Sequence, residues 1–419
     1  MRKKPEILAP VGHYEGLSAV IKAGADAIYM GVGKINQRAL KTHFTMEDVK
    51  EIRKITQDAG VRQYIVLNSI VFEEDLPYIE ETLDQLKEIG VDAVIGWDMS
   101  VISMSISRGL ETHLSTMASV SNSEAAKFYE RLGVKRIVPA REVKLQGLLD
   151  IKNKTNLEIE IFIHGAMCMA VSGRCFLSHD VFEKSGNRGE CYQVCRHEYD
   201  VKIVSKNTGT EFFLGSDYVL SARDLVTINF VDRLIWADSW KIEGRNKNAD
   251  YAYMVTKAYR EARDRILNGE WEKKGWKDLW DMLERVYHRE WDSGFYFGEG
   301  LFGINKSIAK EQKLYVGEVV KFYPKISVAE LRVVDHPISI GDTIHIIGKK
   351  TGVVRQKVSS MQIDRRDIQT AERGTVVGLK TVERVRPGDK VYLMKETDSA
   401  DSNINPRKNE LLKEHTGID

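Results

Sequence analysis

The chain has 419 residues, 42% hydrophobic and 29% charged, with 62 Lys and Arg against 61 Asp and Glu for a net charge of +1. This is the composition of a globular protein of two or three domains in which core area is not limiting. No run approaches the roughly 18 uninterrupted apolar residues that a membrane-spanning helix needs, so no membrane partner is expected.

Short apolar runs rich in β-branched residues alternate with helix-period segments, the βα pattern of a parallel sheet. Eight runs are predicted strands: EILAP (6–10), AIYMG (27–31), RQYIVLN (62–68), AVIGWD (93–98), ETHLST (111–116), RIVPAR (136–141), IEIFIHG (159–165) and SWKIEG (239–244). Eight βα units in this length imply an α/β fold of the (β/α)8, TIM-like barrel type, with a doubly wound open sheet as the competing architecture. Helix signals agree. Thr45 with Asp48 three residues on resembles a capping box, and the glycines of AGADA and EIGVDA end helices ahead of the next strand.

In such barrels catalytic groups gather at the C-terminal strand ends. Asn68, Asp98, Ser115, Thr116, Arg141, Glu142, His164, Glu243 and Arg245 all lie at or just past the predicted ends. Arg141, Glu142, His164, Glu243 and Arg245 form the candidate catalytic set, and Asn68, Asp98, Ser115 and Thr116 the candidate substrate contacts. Each alone is equally explained as a loop cap or a rim salt bridge; their convergence is what points to a site.

All four cysteines, Cys168, Cys175, Cys191 and Cys195, fall within 28 residues directly after the seventh strand, so the grouping reads as one site in an insertion at the barrel mouth. Disulfides are the weaker explanation. The chain opens MRKKPEILAP without an apolar signal segment, so a reducing, cytoplasmic setting is expected. Structural zinc usually takes short knuckles, and only Cys191 and Cys195 form one. The wide spacing of the others suits an iron-sulfur cluster, whose iron corners accept thiolates from separate loops, while zinc stays open as the alternative metal.

Residues 275–290 read as an amphipathic helix with Trp and Leu toward the core, followed by a turn-rich bridge, DSGFYFGEGLFGINKS. From about Leu314 the period changes to six short strands broken by turns, a small C-terminal β-barrel. The resulting domains are 1–270 for the barrel with its cysteine site, 271–312 for a helical linker, 313–396 for the β-barrel and 397–419 for a polar tail. Residues 313–396 hold 16 Lys and Arg against 10 Asp and Glu, which favours an anionic partner for this part.

The segment EIEIFIHGAMCMAVSGRCFLS (158–178) resembles the signature of the U-thirty-two (U32) peptidase family, the collagenase-like proteases. The likeness continues in PEILAP, GADAIYMG, GVDAVIGWD, HLST, GNRGECYQVCR and SWKIEGR, and the C-terminal segment resembles the second-domain β-barrel of translation factors. The tRNA-hydroxylating branch of that family implies an oxygen-independent hydroxylase that forms 5-hydroxyuridine at the tRNA wobble position. A 4Fe-4S cluster on Cys168, Cys175, Cys191 and Cys195 and prephenate as hydroxyl source belong to that implication. Ribosomal RNA or a quinone ring are the substrates of relatives, and a paralogous partner subunit is compatible with the reading. RNA then becomes the expected partner of the β-barrel, with Lys349, Lys350, Arg355, Lys357, Arg365 and Arg366 as candidate phosphate contacts. Three departures touch specificity and the surroundings of the cysteines: the family's Ser-Thr-Gln-Ala-Asn is here Ser115-Thr116-Met117-Ala118-Ser119, the Arg-Asp-Ala-Asn-Arg-Gly lead into the third cysteine is Lys184-Ser185-Gly186-Asn187-Arg188-Gly189, and the residue after Cys-Arg is His197 in place of Trp. The peptidase alternative lacks HExxH and GxSxG; Ser115 and His113 share a strand face without a recognisable third partner.

Overall fold

The computed structural model describes residues 4–37, 39, 44–171, 173–216, 218–298 and 309–396. The first seven strands are β1 Glu6–Pro10, β2 Ala27–Gly31, β3 Arg62–Leu67, β4 Ala93–Gly96, β5 Thr112–Leu114, β6 Arg136–Ile137 and β7 Glu158–Ala166. Then come a hairpin of β8 Val201–Val204 and β9 Glu211–Gly215, the short β10 Asp224–Val226, and β11 Ser239–Ile242. Strands β1 to β7 pair in chain order, all parallel, and β11 pairs in parallel with both β1 and β7. That double pairing closes the sheet into a TIM-like barrel and excludes the open sheet.

Helices α1 Tyr14–Ala23, α2 Met46–Asp58, α3 Leu76–Ile89, α4 Met99–Ser107, α5 Ser123–Leu132 and α6 Leu145–Lys154 connect the first seven strands. The short α7 Leu177–Phe182 lies in the insertion, and α8 Ala249–Leu267 follows β11. The capping box on α2 is formed: Thr45 Oγ1 accepts from Asp48 N, and Asp48 accepts from Thr45 N at 2.8 Å. Outward strand residues such as Ile7, Ile159, Ile161 and Trp240 meet α8 residues Val255, Tyr259 and Ala262 in one apolar core.

The inward residues are different. Glu6, Tyr64, His113, Arg136, Glu160 and Lys241 are all buried on six different strands. Arg136, 1% exposed, donates to Glu6 at 2.7 Å, to Glu160 at 3.1 Å and to Glu158 at 2.6 Å. Lys241 Nζ bonds Glu160 at 2.6 Å, and Tyr64 OH donates to Glu6 at 2.8 Å. The barrel floor is therefore a closed ion-pair network.

The segment expected as a linker instead extends the first unit. The helices α9 Trp271–Lys274 and α10 Lys277–Glu284 follow α8; Leu279 and Leu283 of α10 are buried in the barrel's outer core, and β12 Trp291–Asp292 pairs in parallel with β10, which runs antiparallel to the end of β7. Part of the turn-rich bridge, 299–307, and the polar tail, 397–419, lie outside the described residues.

The C-terminal unit contains β13 Glu311–Tyr323, β14 Val328–Val333, β15 Ile338–Ser339, β16 Thr343–Gly348, β17 Gly352–Lys357, β18 Met361–Ile363, β19 Arg366–Asp367, β20 Thr370–Ala371, β21 Val376–Lys380 and β22 Lys390–Glu396. Six strands are expected from alternation. The rest are two- and three-residue pairings too short to carry a period. Ala19 of α1, Ala249 of α8 and Val353 of β17 pack together at the junction with the first barrel. There Asp250 is paired with His345 at 2.5 Å and Lys313 at 3.4 Å. Among the described residues no helix is long and apolar enough to cross a membrane.

Because Glu160 is fully buried between two cations, removing one cation strands a charge in a low dielectric, at a cost of about 3–5 kcal/mol. Arg136→Met should lower the unfolding free energy by that amount in urea, whereas Lys127→Ala, at an exposed pair screened by water, should leave it nearly unchanged.

Candidate functional site

Residues 167–223, between β7 and β10, contribute an insertion that packs against the barrel mouth. Specific contacts pin it. Arg188 donates to the fully buried carboxylate of Asp75 and to the carbonyl of Ile70 at 2.7 Å. Asn187 accepts from Cys175 N at 3.0 Å through its side chain and from Gln37 Nε2 and Ile70 N, each at 3.0 Å, through its carbonyl. Gly189, at φ +92°, sits so close to the loop after β2 that a Cβ would fall 2.1 Å from Asn36 O. Only glycine allows both that backbone and that approach. Arg196 ties the far end by donating to the carbonyls of Met167 and Ala222.

Under the insertion lies a cavity of about 290 Å³ whose wall includes Cys168, Cys175, Cys191 and Cys195 together with Asn68, Ser115, Thr116, Arg141, Glu243 and Arg245. The cysteines are free thiols, all half-buried, so the disulfide alternative does not describe this arrangement. Burial pushes the Cys195 thiol up, Arg196 beside it works the other way, and the Cys168, Cys191 and Cys175 thiols push it up further. Four thiols therefore share one electrostatic environment. Leu177 N points at Cys175 Sγ, 3.3 Å away, a donor suited to a thiolate. Among the described residues no three His, Cys, Asp or Glu side chains form a group that could hold a metal ion. A group with several metal corners, each taking one thiolate, asks for a wider ring of donors than a single ion does.

The charged side chains of the remaining wall are mostly cationic. Arg141, Arg196, Lys241, Arg245, Lys247 and Arg289 line it, with Glu243 as the carboxylate. Lys241 is spent on Glu160 and Arg289 on Asp224 at 2.9 Å. Arg141 makes no ion pair among the described residues; it lies 3.7 Å from the Phe162 ring centroid and donates to Ala166 O at 3.1 Å. Lys247 Nζ sits 3.6 Å from the Tyr287 ring centroid, and burial brings its pKa down to about 8. Asn68 Nδ2, Ser115 Oγ and Thr116 Oγ1 supply uncharged polar atoms: Asn68 Nδ2 is 3.4 Å from Ser115 Oγ, and Thr116 donates to Pro139 O at 3.0 Å. Tyr29 joins the wall, its hydroxyl 3.2 Å from Glu243 Oε2.

Three expected site residues lie elsewhere. His164 is buried outside the barrel against Tyr251, Tyr259 and Trp291, and burial lowers its pKa to about 3. The reason is a register shift in the β7–β11 pairing: Lys241 pairs with Phe162 but Ile242 pairs with His164, so the alternation slips by one residue and His164 takes the outer face. Glu142 is exposed in the turn after β6 and does not line the cavity. Asp98 caps α4, accepting from Ser100 N at 3.0 Å. Sequence reasoning passed over Lys247 and Arg196; their positions, two residues after Arg245 and one after Cys195, were the available signal. The six candidate RNA contacts do not form one surface. Lys349 and Lys350 occupy the β16–β17 turn facing α1, whereas Lys357, Arg365 and Arg366 are exposed at or beyond the other end of β17. Arg355 is bound to Glu311 at 2.9 Å and serves the C-terminal unit's own packing.

Comparison with known proteins adds to this picture. The model of peptidase family U32 matches residues 12–302. An uncharacterized protease of Methanocaldococcus jannaschii is 41% identical over 405 residues, spanning 94% of this chain and 98% of its own. A collagenase of Porphyromonas gingivalis is 36% identical, spanning 92% and 97%. The tRNA hydroxylation protein P1 of Bacillus subtilis is 33% identical over 312 residues, spanning 72% and 74%.

The Arg188–Asp75 contact predicts how the cysteines are protected. A hydrogen-bonded pair to a buried charge contributes about 1.5–3 kcal/mol, so Asp75→Asn should speed alkylation of Cys175 and Cys191 in metal-free protein by about ten- to a hundredfold, read by mass spectrometry of the labelled peptides.

Proposed function

The chain belongs to peptidase family U32, and within it we propose an iron-sulfur-dependent, oxygen-independent RNA hydroxylase that forms 5-hydroxyuridine in tRNA with prephenate as the hydroxyl source. The observation that carries this reading is the composition of a single cavity, whose wall holds four thiols, an excess of cationic side chains and several neutral hydrogen-bonding groups. Cys168, Cys175, Cys191 and Cys195 would hold a 4Fe-4S cluster, which supplies one-electron chemistry to whatever lies beside it. Arg141, Arg245 and Lys247 would hold a dicarboxylate, the two guanidiniums through forked contacts and the ammonium as a point charge. Asn68, Ser115 and Thr116 present the donors and acceptors that read the edge of a base. Met117 lines the same wall where the family motif carries Gln, so the contacts to the base differ here from that pattern.

Two of these relatives are named a protease and a collagenase, which favours proteolysis as the second reading. The structure offers it little. Ser115 Oγ faces Asn68 Nδ2 and Met117 N, while His113 is buried against Tyr64 with Nε2 held by Glu111 at 2.9 Å. Ser115 is therefore not activated by the histidine on its own strand.

Protein purified without oxygen should carry about four irons per chain and be brown, and Cys168→Ala should lose both; stoichiometric zinc in place of iron would refute the cluster. Nucleoside mass spectrometry of tRNA from a deletion strain should show loss of one hydroxylated nucleoside, restored by the wild-type gene and not by Cys168→Ala. Prephenate binding, followed by calorimetry, should weaken above pH 8 by up to about tenfold per pH unit as Lys247 gives up its proton. Lys247→Met should flatten that profile, and Arg141→Lys should weaken binding at every pH.

A further inference from the structure

A second cavity, about 550 Å³, lies between the two barrels, walled by His13, Asn248, Lys313, Lys349, Lys350, Arg386, Lys390 and Tyr392 among others. Its acidic members are already engaged. Glu15 is paired with His13 at 3.1 Å, and Asp389 accepts from Thr351 Oγ1 at 2.6 Å and from Arg386 N at 2.8 Å. Lys313 is held by Asp250. Lys349, Lys350, Arg386 and Lys390 have no carboxylate in ion-pair contact among the described residues, and Lys349, Lys350 and Lys390 are exposed. The cleft therefore carries net positive charge facing water, contributed by separate turns of the C-terminal unit and walled on the other side by the mouth of the first barrel.

Its position matters as much as its charge. His13 caps α1 on the loop after β1, and Asn248 caps α8 on the loop after β11, both at the C-terminal ends of barrel strands. Lys247, the residue before Asn248, lines the cysteine cavity, and its carbonyl bonds His13 Nε2 at 3.1 Å. The cleft and the cysteine cavity thus flank one turn, with Arg245, Asn246 and Lys247 lining the cavity and Asn248 the cleft. We infer that this cleft is the track for the phosphate backbone of an RNA strand whose base enters the cysteine cavity. Several cations open to solvent suit a polymer of phosphates, and cavities that adjoin at one turn let one strand occupy both. The inference deepens the RNA reading above and rests on it, but it assigns the backbone to Lys350, Arg386 and Lys390 and withdraws it from Arg355, Lys357, Arg365 and Arg366.

The test uses the full chain and a labelled, unmodified tRNA transcript, with affinity measured by anisotropy across a salt series. Removing one cation from a phosphate lowers the slope of log affinity against log salt by roughly 0.7–0.9. Lys350→Ala/Lys390→Ala should therefore flatten the slope by about 1.5 and weaken binding, while Lys357→Ala/Arg366→Ala should leave both unchanged. Both double variants alter exposed side chains that have no ion-pair partner among the described residues, and equal thermal midpoints will confirm folding. An unchanged slope in the cleft variant, or equal losses in the two variants, would overturn the inference. So would absence of RNA binding with Lys350-dependent binding of a polyglutamate peptide, which would make the cleft a protein-docking surface. Cleft-dependent tRNA binding in a protein that modifies no nucleoside would uphold the track and remove the hydroxylase reading, so the two failures are distinct.

Discussion

Glu6, Arg136, Glu160 and Lys241 sit inside the barrel with almost no contact with water, so each charge persists only beside its opposite. These residues come from β1, β6, β7 and β11, so the network joins the first strand of the barrel to its last three. Their pairing therefore requires a closed barrel in one register. It also makes a polar floor, and the floor decides what can lie above. Lys241 reaches from Glu160 to the rings of Tyr29 and Phe162, which form the base of the cysteine cavity. A cation already satisfied from below contributes field to the cavity without needing a ligand to neutralise it.

Above that floor, charge is arranged with the opposite logic. Arg141 and Lys247 are largely buried, their neighbours are aromatic rings and backbone carbonyls, and burial works against the charge of both. Desolvated cations with weak partners raise the affinity for whatever anion arrives. The insertion that brings the thiols is held to the barrel at Asp75 and at the loop after β2, so the thiols are placed by contacts distant from the metal chemistry they would support.

The C-terminal unit is docked by buried ionic contacts of its own, Asp250 with His345 and Lys313, over a small apolar junction of Ala19, Ala249 and Val353. The junction is made by α1 and by the start of α8, the helices that follow β1 and β11, and the cleft beside it reaches their caps His13 and Asn248, at the same end of the barrel as the cysteines. Attached here, the C-terminal unit extends the face on which the cavity opens.

The barrel itself was legible in the sequence. Short apolar runs separated by capped, period-3.6 segments are local signals, and all eight barrel strands lie where those runs put them; β3, β4, β5, β6 and β11 end short of the expected C-terminal ends where the chain turns over the mouth, whereas β7 runs on to Ala166. The cysteine grouping was legible for the same reason, since ligands crowded into 28 residues are bound to be near one another in space. What alternation could not reveal was its own interruption. His164 follows Glu160 and Phe162 at even spacing and so reads as inward, but the irregular pairing of β7 with β11 turns it outward, and such a slip depends on the partner strand. Glu142 and Asp98 show the same limit, because a polar residue at a strand end becomes a cap or a solvent contact according to loops that local pattern does not describe. Lys247 and the cleft beside it belong to tertiary structure altogether: their surroundings are assembled from β1, β11, α8 and the C-terminal turns, and only folding brings those together. Residue types and their spacing determined which chemistry was present; packing between distant segments decided which of those residues share a cavity.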